Sequence, residues 1–151
     1  MRVLVQRVES AHVSVAGEIV GEIERGLLLL VGLTHSDTAL VETRMADKIL
    51  KLRIFNDETG KMNRSVLDIG GALLAVSQFT LYAEARQGNR PSFTNAARPE
   101  QASPAFDRFV KTLGAKLGKS VPTGVFGADM KVELVNDGPV TIWLDSDELR
   151  K

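Results

Sequence analysis

Two short stretches of this chain carry groups that could do chemistry, one by orienting a water and stabilising an oxyanion, the other by presenting backbone carbonyls. Ser77-Gln78-Phe79-Thr80-Leu81 follows the apolar run Ala72-Leu73-Leu74-Ala75-Val76, so its polar side chains fall at or just past the end of a strand, a common place for active-site residues. Two hydroxyls and an amide held close together can orient a water, and the backbone N–H groups of Phe79 and Thr80 can stabilise an oxyanion as it develops. The plainer alternative is a strand end whose polar residues simply face solvent. Thr80 is the nearest nucleophile, but an unassisted hydroxyl is weak. No carboxylate–histidine pair stands beside it to take its proton.

The second stretch, Asn136-Asp137-Gly138-Pro139-Val140-Thr141, is notable for backbone rather than side chains. Proline has no N–H, and the glycine before it accepts dihedrals other residues refuse, so the pair presents carbonyls. With apolar runs on both sides, Gly138-Pro139 is expected at a tight corner between two strands, with a trans peptide bond as the default and cis as the alternative.

These stretches need a scaffold, and the apolar patterning supplies one. Alternating or continuous apolar runs predict strands near 2–8, 11–15, 18–24, 27–33, 72–79, 130–136 and 140–144. A first helix is expected from a cap at Asp37 or Thr38, with Val41, Met45, Ile49 and Leu52 on one face. A second is expected from Ser103 as cap and Pro104 in the first helical position, burying Phe106, Phe109, Val110, Leu113 and Leu117. The longest irregular stretch, 84–102, holds Arg86, Arg90 and Arg98 with Glu84 and Glu100 at its margins, and loops of that length in compact domains are usually functional. Sheets with helices packed on them give a mixed α/β single domain over 1–151.

Composition narrows the chemistry. The chain has 151 residues and 44% hydrophobic content, enough for one sizeable core. It contains no cysteine, which excludes disulfides, thiolate metal sites and a cysteine nucleophile; its two histidines, His12 and His35, lie far apart and read as structural or surface residues. No metal and no cofactor is expected. Without an apolar run near the ~20 residues that span a bilayer, and without a signal-peptide pattern, the expectation is a cytoplasmic protein. The 19 basic residues balance 19 acidic ones, which predicts weak non-specific binding to nucleic acid and a shallow salt dependence. Local basic groups remain in the 84–102 stretch and at Lys111, Lys116 and Lys119.

Both stretches stand intact as the SQFTL and NxGPVT motifs of the D-aminoacyl-tRNA deacylases, which the chain resembles. The resemblance runs from Met1-Arg2-Val3-Leu4-Val5-Gln6-Arg7-Val8 through Gly88-Asn89-Arg90-Pro91-Ser92-Phe93-Thr94 and Gly124-Val125-Phe126-Gly127-Ala128-Asp129-Met130, and so covers nearly the whole chain. It implies a three-layer α/β/β fold and a homodimer in which Gly138-Pro139 of one subunit enters the active site of the other. The implied reaction is hydrolysis of the ester between a D-amino acid, or glycine, and the 3′-terminal adenosine of a tRNA. Ser77, Gln78, Phe79 and Thr80 would be catalytic, with attack by Thr80 or assistance from the adenosine's 2′-hydroxyl as the two routes. Gly138 and Pro139 would exclude L side chains, Arg7 would position that pair, and Phe126 and Met130 would line the substrate pocket. Two competing readings are a tRNA-end binding module without chemistry and a Thr-dependent general esterase. A third is the related editing domain fused to some archaeal threonyl-tRNA synthetases; a stop at Lys151, soon after the last apolar strand, favours a free-standing protein over it.

Overall fold

Two strands set the architecture by their length. In the computed structural model, which describes residues 1–149, β1 (Arg2–Val15) is one continuous strand and β7 (Met130–Asp145) is another. Between them lie β2 (Glu18–Ile23), β3 (Gly26–Gly32), helix α1 (Ala39–Lys51), the short β4 (Phe55–Asn56) and β5 (Met62–Arg64), β6 (Ala72–Ser77), a 3-10 turn (Phe79–Tyr82) and helix α2 (Pro99–Leu117).

β1 is long enough to serve both halves of the sheet. Its first half pairs antiparallel with β3, its second half antiparallel with β2, and its other edge carries β7 along nearly the whole length. β3 in turn pairs parallel with β6, so the sheet is mixed. β3 and β6 are apolar on both faces, as strands covered on both sides must be. Leu27, Leu29, Leu73 and Ala75 face the helices, where they meet Met45, Ile49, Phe106 and Phe109. Leu28, Leu74 and Val76 face the opposite way and pack against Val8, Val13 and Ile23 from the part of the sheet that curls over them. One curled sheet with two helices on its outer face therefore supplies the three layers, α/β/β.

The expected pairs of strands at 2–8 with 11–15, and at 130–136 with 140–144, are each a single strand. Gly138-Pro139 is not a corner between strands. Gln6 pairs with Thr141 and Val8 with Asn136, so residues 137–140 of β7 bulge out opposite Arg7 alone. The ladder resumes on both sides of that bulge, which is why the chain keeps its direction. β6 ends at Ser77 rather than 79, because the chain tightens into the 3-10 turn.

α1 starts as expected: Thr38 is the N-cap, and its side chain accepts a hydrogen bond from the Val41 N–H. α2 starts one turn earlier than Ser103-Pro104. Arg98 is its N-cap and Pro99 takes the first position, which leaves Pro104 inside the helix. Pro104 has no N–H to donate to the carbonyl of Glu100, but that residue lies in an exposed first turn where water can reach it. The irregular stretch is shorter as a result.

The helices are tied together by an ion pair. Glu42 on α1 is 2% exposed and receives two hydrogen bonds from Arg108 on α2, at 2.6 and 3.2 Å. Arg108 alone reaches water, so removing it strands a buried carboxylate, whereas Glu42→Gln leaves an amide oxygen to accept from Arg108. Arg108→Ala is expected to lower the thermal midpoint further than Glu42→Gln does. A calorimetric midpoint for Arg108→Ala equal to or above that of Glu42→Gln would contradict this.

Candidate active site

The end of β6 and the 3-10 turn form one wall of a cavity of about 540 Å³, a size that suits a small organic ligand. Ser77, Gln78 and Phe79 line it, facing Phe126 and Met130 on the far side. The chain leaves β6 with the Gln78 N–H donating to Val31 O, 2.7 Å, which anchors the turn to the neighbouring strand. The turn's first internal bond runs from Leu81 N to Gln78 O. Phe79 and Thr80 therefore open the turn with N–H groups that find no partner within it, and such donors are able to meet a ligand oxygen. The Gln78 side-chain amide donates to Thr80 Oγ1, so the two polar side chains expected to act together do meet. Thr80 is exposed but is not part of the cavity lining.

Phe126 and Met130, expected as pocket residues, are both in the cavity wall. Phe126 is braced from behind by Phe106 of α2, ring centroids 6.4 Å apart. Met130 opens β7, and its sulfur lies against Gly124 so closely that a Cβ there would overlap it. Any larger residue at 124 would have to displace the thioether.

Gly138, Pro139 and Arg7 stand apart from this cavity within one chain. The Gly138-Pro139 peptide is cis, Gly138 has φ +121, and both residues are exposed. Arg7 is not the exposed strand arginine it could have been: it is 6% exposed. Its Nη1 donates to the buried Ile54 carbonyl, 2.7 Å, its Nε donates to Asp137 O, 3.1 Å, and the Asp137 carboxylate lies 3.2 Å from Nε. A single guanidinium fork thus holds the bulge against the body of the domain.

Two residues of the same motif that the sequence reading did not assign a role close the bulge at its neck. Asn136 Nδ2 donates to both Arg7 O and Val140 O, at 3.0 and 3.1 Å, and the Thr141 hydroxyl donates to Asn136 Oδ1, 3.1 Å. The signal was present in the sequence, since an asparagine two residues before a Gly-Pro and a threonine two after it are side chains able to replace, across such an irregularity, ladder bonds that the backbone cannot make.

The histidines are structural: His35 Nε2 lies 3.0 Å from Thr94 O, and His12 lies 3.4 Å from Glu133. Burial, with the nearby Asp37 and Asp145 carboxylates, pushes the Tyr82 phenol well above its ordinary pKa. It stays protonated through the neutral range. No helix among the described residues is long and apolar enough to cross a membrane.

The sequence model of the D-Tyr-tRNA(Tyr) deacylase family matches residues 4–145. A D-aminoacyl-tRNA deacylase of Chloroherpeton thalassium is 66% identical over 148 residues, covering 97% of this chain and 96% of that one. One of Chromobacterium violaceum is 64% identical over 146 residues, covering 97% of each. Among solved structures, the c-Myc DNA unwinding element binding protein superposes with a TM-score of 0.90 at 42% identity, over 96% of this chain and 98% of its own. A chain described as a probable eukaryotic D-amino acid tRNA deacylase shares the fold, with a TM-score of 0.81 at 18% identity over 95% of this chain and 97% of its own. With its polar strand end, free turn N–H groups and apolar cavity all falling inside the matched span, the chain belongs to the D-Tyr-tRNA(Tyr) deacylase family, a family of hydrolases.

Proposed function

We propose that this chain, as a single deacylase domain over residues 1–151, hydrolyses the ester linking a D-amino acid, or glycine, to the 3′-terminal adenosine of a tRNA, sparing the L ester. The observation that carries the reading is the pair of N–H groups at Phe79 and Thr80, without backbone partners among the described residues and set beside an apolar cavity in a chain of this family. As the carbonyl carbon is attacked, negative charge collects on its oxygen, and each such donor is worth about 2.7–4 kcal/mol to the transition state. Ser77 and Gln78 orient the ester, and Phe126 and Met130 flank the adenosine.

Among the described residues Thr80 has Gln78 as its side-chain partner, an amide that donates to Thr80 Oγ1 and is no base. Activation therefore falls to the substrate: the 2′-hydroxyl of the terminal adenosine assists attack by water on the adjacent ester. The protein's part is positioning and charge stabilisation.

Selection against L esters belongs to Gly138-Pro139 of a second copy of the chain in a homodimer. In support, the pair is exposed and outside its own chain's cavity, and β7 is a long edge strand that displays Val135 and Trp143, 51% and 45% exposed. An apolar edge of that length calls for a partner. The filter rejects by steric exclusion, so it accepts many D side chains and also glycine. The cell compartment that fits is the cytoplasm, where charged tRNA is used.

The test follows release of amino acid from D-tyrosyl-, L-tyrosyl- and glycyl-tRNA with catalytic protein, alongside a D-tyrosyl-tRNA ending in 2′-deoxyadenosine. The expected result is rapid cleavage of the D and glycyl esters, with the L ester spared and the 2′-deoxy substrate inert. Thr80→Ala retains most of its activity if the substrate supplies the assistance. A folded but inactive Thr80→Ala protein would replace that route with attack by Thr80, and equal cleavage of D and L esters would refute the filter.

A further inference from the structure

The segment between the 3-10 turn and α2 has no part in the reaction as described, yet it is built with care. Backbone bonds run both ways between Glu84 and Ser92, at 2.8 and 2.9 Å, closing a loop that carries Arg86 and Arg90. The next residues are fastened to the end of β3: Thr34 Oγ1 donates to Asn95 O, 2.6 Å, and Ala97 N donates to Leu33 O, 2.9 Å. Between these two sets of bonds stands Phe93. Its ring meets that of Phe79 edge to face, centroids 5.1 Å apart, and the two rings remain 38% and 55% exposed while lining the cavity. A large apolar surface held rigid and left wet is costly unless something covers it.

Arg98 lines the same cavity, is exposed, and makes no ion pair among the described residues. An exposed lining residue marks the mouth of a cavity rather than its floor. The exposed residues of the lining also include Asp129, whose carboxylate is paired with Lys131. The mouth therefore combines two aromatic rings with one uncommitted guanidinium, and its one carboxylate is already neutralised, which is the chemistry that receives one base and one phosphodiester. We propose that Phe93, braced by Phe79, and Arg98 form a second nucleotide subsite: the base of the nucleotide preceding the terminal adenosine stacks on Phe93, and the phosphodiester joining the two nucleotides is met by Arg98. This inference rests on the placement of the terminal adenosine in the cavity given above. An RNA chain leaving that adenosine through its 5′-phosphate must pass the mouth. A contact of one stack and one phosphate also suits a protein with no net charge, which cannot grip a duplex by electrostatics.

The test compares four D-tyrosyl esters: of adenosine, of adenosine bearing a 5′-linked abasic ribose phosphate, of cytidylyl-adenosine, and of whole tRNA. In the wild type, kcat/KM is expected to rise at each of the first two steps, with the base adding about tenfold, as one stack on an aromatic ring provides. Phe93→Leu keeps an apolar side chain in place and removes the step that the base supplies. Arg98→Gln removes the step that the phosphate supplies, together with its salt dependence. Equal wild-type rates on adenosine and cytidylyl-adenosine esters would overturn the subsite and leave the deacylase reading standing. So would a Phe93→Leu variant that keeps the base step, or one that slows all four esters alike. Cleavage of the tRNA ester but none of the small ones would move recognition elsewhere on the tRNA and overturn it too. If no ester is cleaved, the deacylase reading falls first and the subsite with it.

Discussion

Gly138→Ala is expected to reduce the preference for D over L esters about a hundredfold, because strain of about 1–3 kcal/mol at such a dihedral is relieved by moving the bulge, and a misplacement of about 1 Å is enough for a loss of that size. Gly138 has φ +121, a conformation that L residues rarely adopt. A Cβ built there would lie 2.9 Å from Val140 Cγ2 and 3.0 Å from Arg7 Nη2. Arg7 cannot give way easily, since it is already engaged by the Ile54 and Asp137 carbonyls, and the β-branched Val140 has few rotamers to turn to. The bulge itself must move, and with it the carbonyls proposed to exclude L side chains. The measurement is kcat/KM for D- and L-tyrosyl-tRNA side by side, with thermal unfolding to show that the variant is folded. A folded Gly138→Ala protein with an unchanged ratio would rule out the filter at this position.

Arg7→Lys is expected to lose about tenfold in the same ratio, since a hydrogen bond from a charged donor is worth about 1.5–3 kcal/mol. The guanidinium reaches Ile54 O and Asp137 O from two different nitrogens. An ammonium is a compact point charge on a flexible stem and cannot hold both in the same geometry. Arg7→Ala goes further and leaves the Ile54 carbonyl buried without its donor, a cost of about 1–3 kcal/mol in stability. Because Arg7 and Gly138 touch, their effects should not add. In the Arg7→Lys/Gly138→Ala pair, the combined loss of selectivity is expected to fall well short of the product of the single losses. Full multiplicativity would mean that Arg7 does not act through the bulge.

The elements most legible in the sequence are those whose side-chain period is unbroken. β3 and β6 read as buried strands because both faces are apolar, and α1 shows its cap at Thr38 and its stripe through Met45 and Ile49. The same stripe gave no sign that Glu42 lies on the buried face, since its burial depends on Arg108 arriving from another helix. α2 starts one turn before the expected Ser103-Pro104. Ser103-Pro104 is as good a start signal as any, but Arg98-Pro99 comes first, and a proline in an early helical turn is tolerated where its orphaned carbonyl meets water.

The candidate site divides in the same way. Residue types and near neighbours along the chain were enough to single out Ser77 to Thr80 at a strand end and Gly138-Pro139 as candidates, and to exclude cysteine chemistry. It took the folded chain to bury Arg7 against the Gly138 bulge, to close that bulge with Asn136 and Thr141, and to bring Phe93 and Arg98 into the lining of one cavity. These are contacts between segments distant in the chain, such as Arg7 and Asp137 at a separation of 130. No local propensity encodes such pairs, because they exist only once β1 and β7 have paired in one register.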